Sequence, residues 1–231
     1  MKTIGMIGGT SWESTVTYYQ VINRTVKERL GGLHSAKCVI YSVDFDELAA
    51  LMARGEWEQA SVVLIHAAKT LETAETDLII LCSNTLHKMA SAVQAAITVP
   101  LLHIAELTAD ELEQRSIVRA GLLGTRYTME QDFYKERLVS RGMDVLVPDA
   151  KDRERLNAII FDELCVGKVL PESKAFVLEV VDKLSASGAE GVILGCTEIG
   201  LLLQQGDTGC PLFDTALIHA GRTARYALRS E

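Results

Sequence analysis

The 231-residue chain lacks the marks of several functional classes. No apolar stretch approaches the roughly 20 residues that a membrane span requires. Glycines and Trp12-Glu13 follow Met1-Lys2-Thr3 too soon for a signal peptide. No basic cluster offsets the formal charge of −8, which argues against nucleic acid and membrane partners. Cys38, Cys82, Cys165, Cys196 and Cys210 form no C-x-x-C pair and no zinc spacing, and no H-E-x-x-H occurs, so neither a disulfide framework nor a metal centre is expected. Scattered thiols in odd number fit a reducing cytoplasm. There is no G-x-G-x-x-G spacing and no G-x-x-x-x-G-K-[ST] loop, which counts against a dinucleotide oxidoreductase or a nucleotide-phosphate site. Pyridoxal phosphate chemistry is not excluded by spacing.

What is present is a duplication. Leu78-Ile-Ile-Leu-Cys-Ser-Asn-Thr-Leu-His87 and Gly191-Val-Ile-Leu-Gly-Cys-Thr-Glu-Ile199 are short apolar runs that end in a nucleophilic residue followed by amide, hydroxyl or carboxylate groups. Each follows a second matched element. Ile4-Gly-Met-Ile-Gly-Gly-Thr10 ends 73 residues before Ser83 (83 − 10), and Ala120-Gly-Leu-Leu-Gly-Thr125 ends 71 before Cys196 (196 − 125). A proline strand follows each run, around Pro100 and Pro211.

Periodicity predicts strands at 3–7, 37–43, 77–81, 99–104, 119–123, 144–147, 191–194 and 210–214, alternating with helices. Capping boxes are expected at Thr10-x-x-Glu13 and Thr128-x-x-Gln131, and one helix over 86–96. This alternation predicts an α/β fold of two pseudo-symmetric domains, each a mostly parallel sheet flanked by helices. The expected boundaries are 1–115 and 116–214, with a closing helix 215–231 packing back on the first domain. Ligands of such sheets bind beyond the carboxyl ends of the strands. Gly8–Thr10, Ser83–Thr85, Gly124–Thr128 and Cys196–Glu198 occupy those ends, which makes them candidates for one site in a cleft between the halves.

Taken singly, most of these residues have a plain alternative. Gly9 suits a backbone approach to an anion, but more often marks a tight turn. Cys196 at a strand end is expected to face solvent and to be activated by a helix end or a cation; alone, such a thiol is more often buried and structural. His87 either bonds a cleft residue or supports the site from behind. His34, His66, His103 and His219 have no partner identifiable from spacing.

The ordered set Ile4-Gly-Met-Ile-Gly-Gly-Thr-Ser-Trp-Glu-Ser-Thr15, Ser42-Val-Asp-Phe45, Cys82-Ser-Asn-Thr-Leu-His87, Gly124-Thr-Arg-Tyr-Thr-Met129 and Gly195-Cys-Thr-Glu198 resembles the aspartate/glutamate racemase family, and most nearly its bacterial branch specific for L-aspartate and L-glutamate. The resemblance covers essentially the whole chain. It implies an isomerase without cofactor or metal, acting on a small anionic amino acid or dicarboxylate, and a homodimer.

In that family two opposed groups, usually both thiols, remove and return the α-proton. Carried over, Cys196 is the base for the L-enantiomer. The first family motif is Cys-Asn-Thr, and here it reads Ser83-Asn84-Thr85, the thiol having moved back to Cys82. Side chains alternate along a strand, so Ser83 is expected to face the site and Cys82 not. The resemblance assigns Asn84, Thr85 and Thr197 to the α-carboxylate, with Gly9, Thr10 and Thr125 lining the opening. Arg54, Arg126 and Lys168 are candidates for the side-chain carboxylate. Glu198 is placed to orient Cys196 or take its proton. Two rival readings stay open: a single-thiol decarboxylase of the same superfamily, and a non-catalytic dicarboxylate or amino-acid binder.

Overall fold

A computed structural model describes residues 1–229. The described residues divide into two compact units: residues 1–104 with 219–229, and residues 105–218. The division therefore falls at Ile104/Ala105 rather than at 115/116. The helix preceding 115 belongs to the second unit through Arg137–Glu106 (2.8 Å) and Arg141–Asp110 (2.8 Å) ion pairs and a Tyr134–Thr108 hydrogen bond.

The first unit contains β1 (Ile4–Gly8), α1 (Trp12–Leu30), β2 (Cys38–Ser42), α2 (Phe45–Ala53), α3 (Trp57–Thr73), β3 (Leu78–Leu81), a 3₁₀ turn (Thr85–Met89) and α4 (Ala90–Ala95). Its parallel sheet has the order β2-β1-β3. Both β1 and β3 are buried along their whole length, as expected for strands covered on both faces. Leu48, Leu64, Leu71, Ile79, Leu81 and Val93 form the core of this unit.

The second unit contains α5 (Ile104–Gln114), β4 (Arg119–Gly124), α6 (Arg126–Glu130), α7 (Asp132–Val139), β5 (Asp144–Leu146), α8 (Ala150–Ala158), a π turn (Ile159–Glu163), a 3₁₀ turn (Leu164–Val166), α9 (Pro171–Ala186), β6 (Gly191–Gly195), α10 (Ile199–Leu202), β7 (Leu212–Asp214) and the start of α11 (Thr215–Ala227). Its parallel sheet has the order β5-β4-β6-β7. Leu123, Leu156, Val177, Val181, Val192 and Ile199 fill its core.

Four local expectations need correction. The segment 99–104 is an isolated bridge, Ile79 with Leu101, and not a strand. Pro100 has no N–H to donate, so the pairing is limited to Ile79 N to Pro100 O (2.9 Å) and Leu102 N to Ile79 O (3.0 Å) before the chain turns into α5. The helix expected over 86–96 begins as a 3₁₀ turn, Thr85–Met89, and becomes α-helical only at Ala90. The Thr10–Glu13 box does not form: Ser11 is the N-cap and makes no side-chain cap bond. The Thr128 box also fails, because Thr125 is the cap and its hydroxyl accepts from Thr128 N, placing Thr128 inside the helix.

Candidate functional site

Strand register brings the candidate residues of each unit to neighbouring strand ends. In the first unit Ile7 pairs with Leu81, so continuing the same register sets Gly9 level with Ser83. In the second, Gly124 pairs with Gly195, which sets Thr125 level with Cys196. The close approach of β4 and β6 there depends on glycine, since a Cβ on Gly195 would lie 2.7 Å from Leu123 O.

Gly9 has φ +95°, and a Cβ there would lie 2.2 Å from Val43 O. Its N–H is donated to Thr15 Oγ1 at 2.9 Å. Gly9 therefore shapes the turn, and its amide is directed inward rather than towards a ligand. Thr10 is the polar group left over: it is buried, and its hydroxyl has no hydrogen-bond partner among the described residues. A buried unsatisfied hydroxyl costs about 1–3 kcal/mol, and such groups mark places where a ligand or water completes the bonding.

The residues that follow β3 differ in burial. Cys82 is completely buried, and burial pushes its thiol far above the ordinary value. Ser83 is partly exposed, while Asn84 and Thr85 are buried. His87 braces this loop from behind. Its Nε2 accepts from Ile104 N (3.1 Å), so the ring carries its proton on Nδ1, which donates to Ser83 O (2.7 Å). The bond is to the Ser83 backbone, not its hydroxyl.

Behind His87 lies a cluster that spacing did not reveal. The His103 ring is 4.5 Å from that of His87, and His219 is 5.6 Å from it. His219 Nδ1 accepts from Tyr18 Oη (2.9 Å), and its Nε2 donates to Leu102 O (2.9 Å). Burial lowers the His219 pKa to about 4, so the ring is neutral.

In the second unit Cys196 is 6% exposed, not open to solvent, and its thiol donates to Glu198 Oε2 at 2.9 Å. The expected activation by a cation is also corrected. Burial raises the thiol well above its ordinary value, and the negative charge of Glu198 raises it further. Thr197 Oγ1 donates to the same Glu198 oxygen at 2.9 Å, so its hydroxyl proton is engaged there. Thr125 is buried, capping α6.

The candidate cations separate. Arg54 is 56% exposed and binds Glu56 through two nitrogens, at 2.8 and 2.9 Å, which commits it to a surface ion pair. Arg126 and Lys168 are exposed and make no ion pair among the described residues. One functional candidate was missed: Asp214, at the end of β7. Its pKa is raised by burial and by Glu198. The repeat carried a signal for it, because Asp214 stands three residues after Pro211 as His103 stands three after Pro100.

No helix of the described residues is long and apolar enough to cross a membrane. No group of three or more His, Cys, Asp or Glu among them is arranged to hold a metal ion.

Two units, each a parallel sheet flanked by helices, are the fold of the two-domain racemases. Residues 7–223 match the model of the Asp/Glu/Hydantoin racemase family, and the chain belongs to that family of isomerases. It is 50% identical to a candidate Asp/Glu racemase from Yersinia pestis, covering 99% of this chain and 100% of that one with a TM-score of 0.93. It is 37% identical to an aspartate racemase homologue from Pyrococcus horikoshii OT3, with coverage of 99% and 100% and a TM-score of 0.86. Over 166 residues it is 26% identical to the broad specificity amino-acid racemase RacX of Bacillus subtilis (strain 168), spanning 72% of this chain and 71% of that protein.

Proposed function

We propose that the protein racemises L-aspartate and L-glutamate without a cofactor, using Cys196 to remove the α-proton and Ser83 at the position of the usual second thiol. The observation that carries this reading is Cys196 itself: a buried thiol at a strand end, hydrogen-bonded to a carboxylate, in a family of racemases. As thiolate, Cys196 takes the α-proton, and the electron pair left on Cα spreads into the α-carboxylate. Asn84, Thr85, Thr125 and Thr10, whose hydroxyl is buried and without a partner, supply groups for that carboxylate. Removing one such donor typically costs about 3 kcal/mol of barrier. Lys168 and Arg126 are the cations assigned to the side-chain carboxylate. The working protein is a cytoplasmic homodimer.

Ser83 makes the reaction asymmetric. A hydroxyl donates a proton, directly or through water, but is a far weaker base than a thiol at neutral pH. L-substrates are therefore deprotonated faster than D-substrates. Initial deuterium uptake at Cα from D2O, followed separately for L- and D-aspartate, tests this, and equal rates for the two enantiomers contradict it. Carbon dioxide release from a malonate-type acid would favour decarboxylation instead.

A further inference from the structure

We propose that the first unit carries a second binding site, for a small oligophosphate anion, in a cavity between the last turns of α1 and α11. The cavity has a volume of about 410 Å³ and is lined by Arg29, Leu30, Arg225, Leu228 and Arg229. That volume lies in the range of small-molecule sites, roughly 300–1,000 Å³. All five residues belong to the first unit.

The cavity is separate from the candidate substrate residues. Helix α1 begins at Trp12, beside the Thr10 turn, and ends at Leu30, 19 residues in all. The rise of an α-helix puts its two ends about 28 Å apart. The arginines come from opposite ends of the chain, so only the fold assembles them. Two backbone contacts frame the cavity. Gly31, with φ +73°, ends α1 and donates its N–H to Lys27 O at 2.8 Å. Lys2 N donates to Ala227 O at 2.9 Å, which ties the start of the chain to the last turn of α11. The Lys2 ammonium lies 5.4 Å from the centre of the Tyr226 ring and brings a fourth cation to this helix end.

The charge here runs against that of the whole molecule. Residues 219–229 hold three arginines and no acidic residue, in a chain of net charge −8. Arg29, Arg225 and Arg229 are exposed, and none makes an ion pair or a side-chain hydrogen bond among the described residues. By contrast Arg54, Arg119, Arg137, Arg141 and Arg153 each hold a carboxylate. A basic residue in the last turn complements a helix dipole, and Lys27 already does so for α1. Arg225 and Arg229, one turn apart, repel each other, and Arg29 adds a third like charge from the facing helix. A counter-anion in the cavity relieves that repulsion. A guanidinium offers a planar fork of N–H donors that suits phosphate oxygens in pairs. Three forks match an anion of several negative charges, whereas one carboxylate leaves most of the donors unused. Leu30 and Leu228 add an apolar wall for an organic group carried on the phosphates.

The test is calorimetric titration at physiological ionic strength with inorganic diphosphate, adenosine diphosphate and L-aspartate, using the unaltered protein, R29Q and R225Q. Both phosphates should bind the unaltered protein with submillimolar affinity, whether or not L-aspartate is present, and each substitution should weaken them by roughly tenfold. Tighter binding of adenosine diphosphate assigns the leucine wall to an organic group; equal binding assigns the site to the phosphates alone. Thermal denaturation gives a second readout. Diphosphate should raise the melting temperature of the unaltered protein, while R225Q should lose most of that rise and, without ligand, melt no lower than the unaltered protein. α-Proton exchange by R29Q without phosphate should match that of the unaltered protein, so the binding result does not depend on the racemase reading. No binding of either phosphate at millimolar concentration overturns the proposal. Binding that is unchanged in both R29Q and R225Q places the anion elsewhere and overturns it equally. A lower melting temperature in unliganded R225Q, with no diphosphate-dependent rise in the unaltered protein, would show that the arginines only complement helix ends.

Discussion

The Cys196 thiol points its proton at Glu198 Oε2, 2.9 Å away, in surroundings that disfavour the thiolate. Burial is the larger cause and the Glu198 charge the second. The neutral thiol is therefore the stable form at neutral pH. Alkylation of Cys196 by iodoacetamide should be slow near pH 7 and should still be rising above pH 9, the ordinary thiol value, where an exposed thiol would level off. Mass spectrometry of the Cys196 peptide checks this; a rate that reaches its plateau below pH 8 would mean the thiolate is already the resting form.

The neighbouring pair Cys82 and Ser83 predicts a split between two substitutions. Ser83→Cys supplies a thiol at the partly exposed position and should raise the rate on D-aspartate by on the order of tenfold or more. Cys82→Ala lies in the core of the first unit and should leave both rates within about twofold while lowering stability by roughly 1 kcal/mol. An unchanged D-aspartate rate in Ser83→Cys, with a collapse in Cys82→Ala, would reassign the second group to Cys82.

How much of this was legible in the sequence is best seen in the duplicated segments. The β-strands at 4–8, 78–81, 119–124 and 191–195 announced themselves as apolar runs ended by glycine or a nucleophile, and Cys82 and Ser83 differ in burial, the first buried and the second partly exposed. Pro100 misled: a strand-like composition around it gives only a bridge, because a missing N–H does not show in hydrophobic periodicity. Glu198, two residues from Cys196, was within reach of linear spacing, but the ring partners of His87 and the neighbour of Asp214 were not. His87 and His103 meet in one repeat at the positions held by Gly200 and Asp214 in the other, where the carboxylate presses on a glycine instead of a ring. Such pairs depend on which strand ends lie side by side, and linear spacing does not encode that.

His219 gives a prediction for stability against pH. Its folded pKa is lowered to about 4 from 6.5, so between those values the unfolded chain binds the proton that the folded ring refuses. The stabilisation is fully present above pH 6.5 and is lost as pH falls towards 4, by about 3 kcal/mol in total. Urea midpoints should drop more steeply over that window in the unaltered protein than in His219→Gln. Identical slopes in the two proteins would show that the ring is accessible to protons in the folded state.

Gly9→Ala should be costly for a different reason. The residue has φ +95°, and its new Cβ would meet the Val43 carbonyl at 2.2 Å. A loss of at least about 2 kcal/mol is expected, together with reduced exchange because Thr10 shifts with the turn. Thermal denaturation and the D2O assay on the same preparation measure both. Full stability in Gly9→Ala would mean that the turn relaxes freely.

The most direct measurement of the central claim is proton NMR of L-aspartate and L-glutamate in D2O with the unaltered protein and with Cys196→Ala. The account predicts loss of the α-proton signal of at least one of the two with the former and none above the uncatalysed rate with the latter. Equal exchange by both proteins would contradict it.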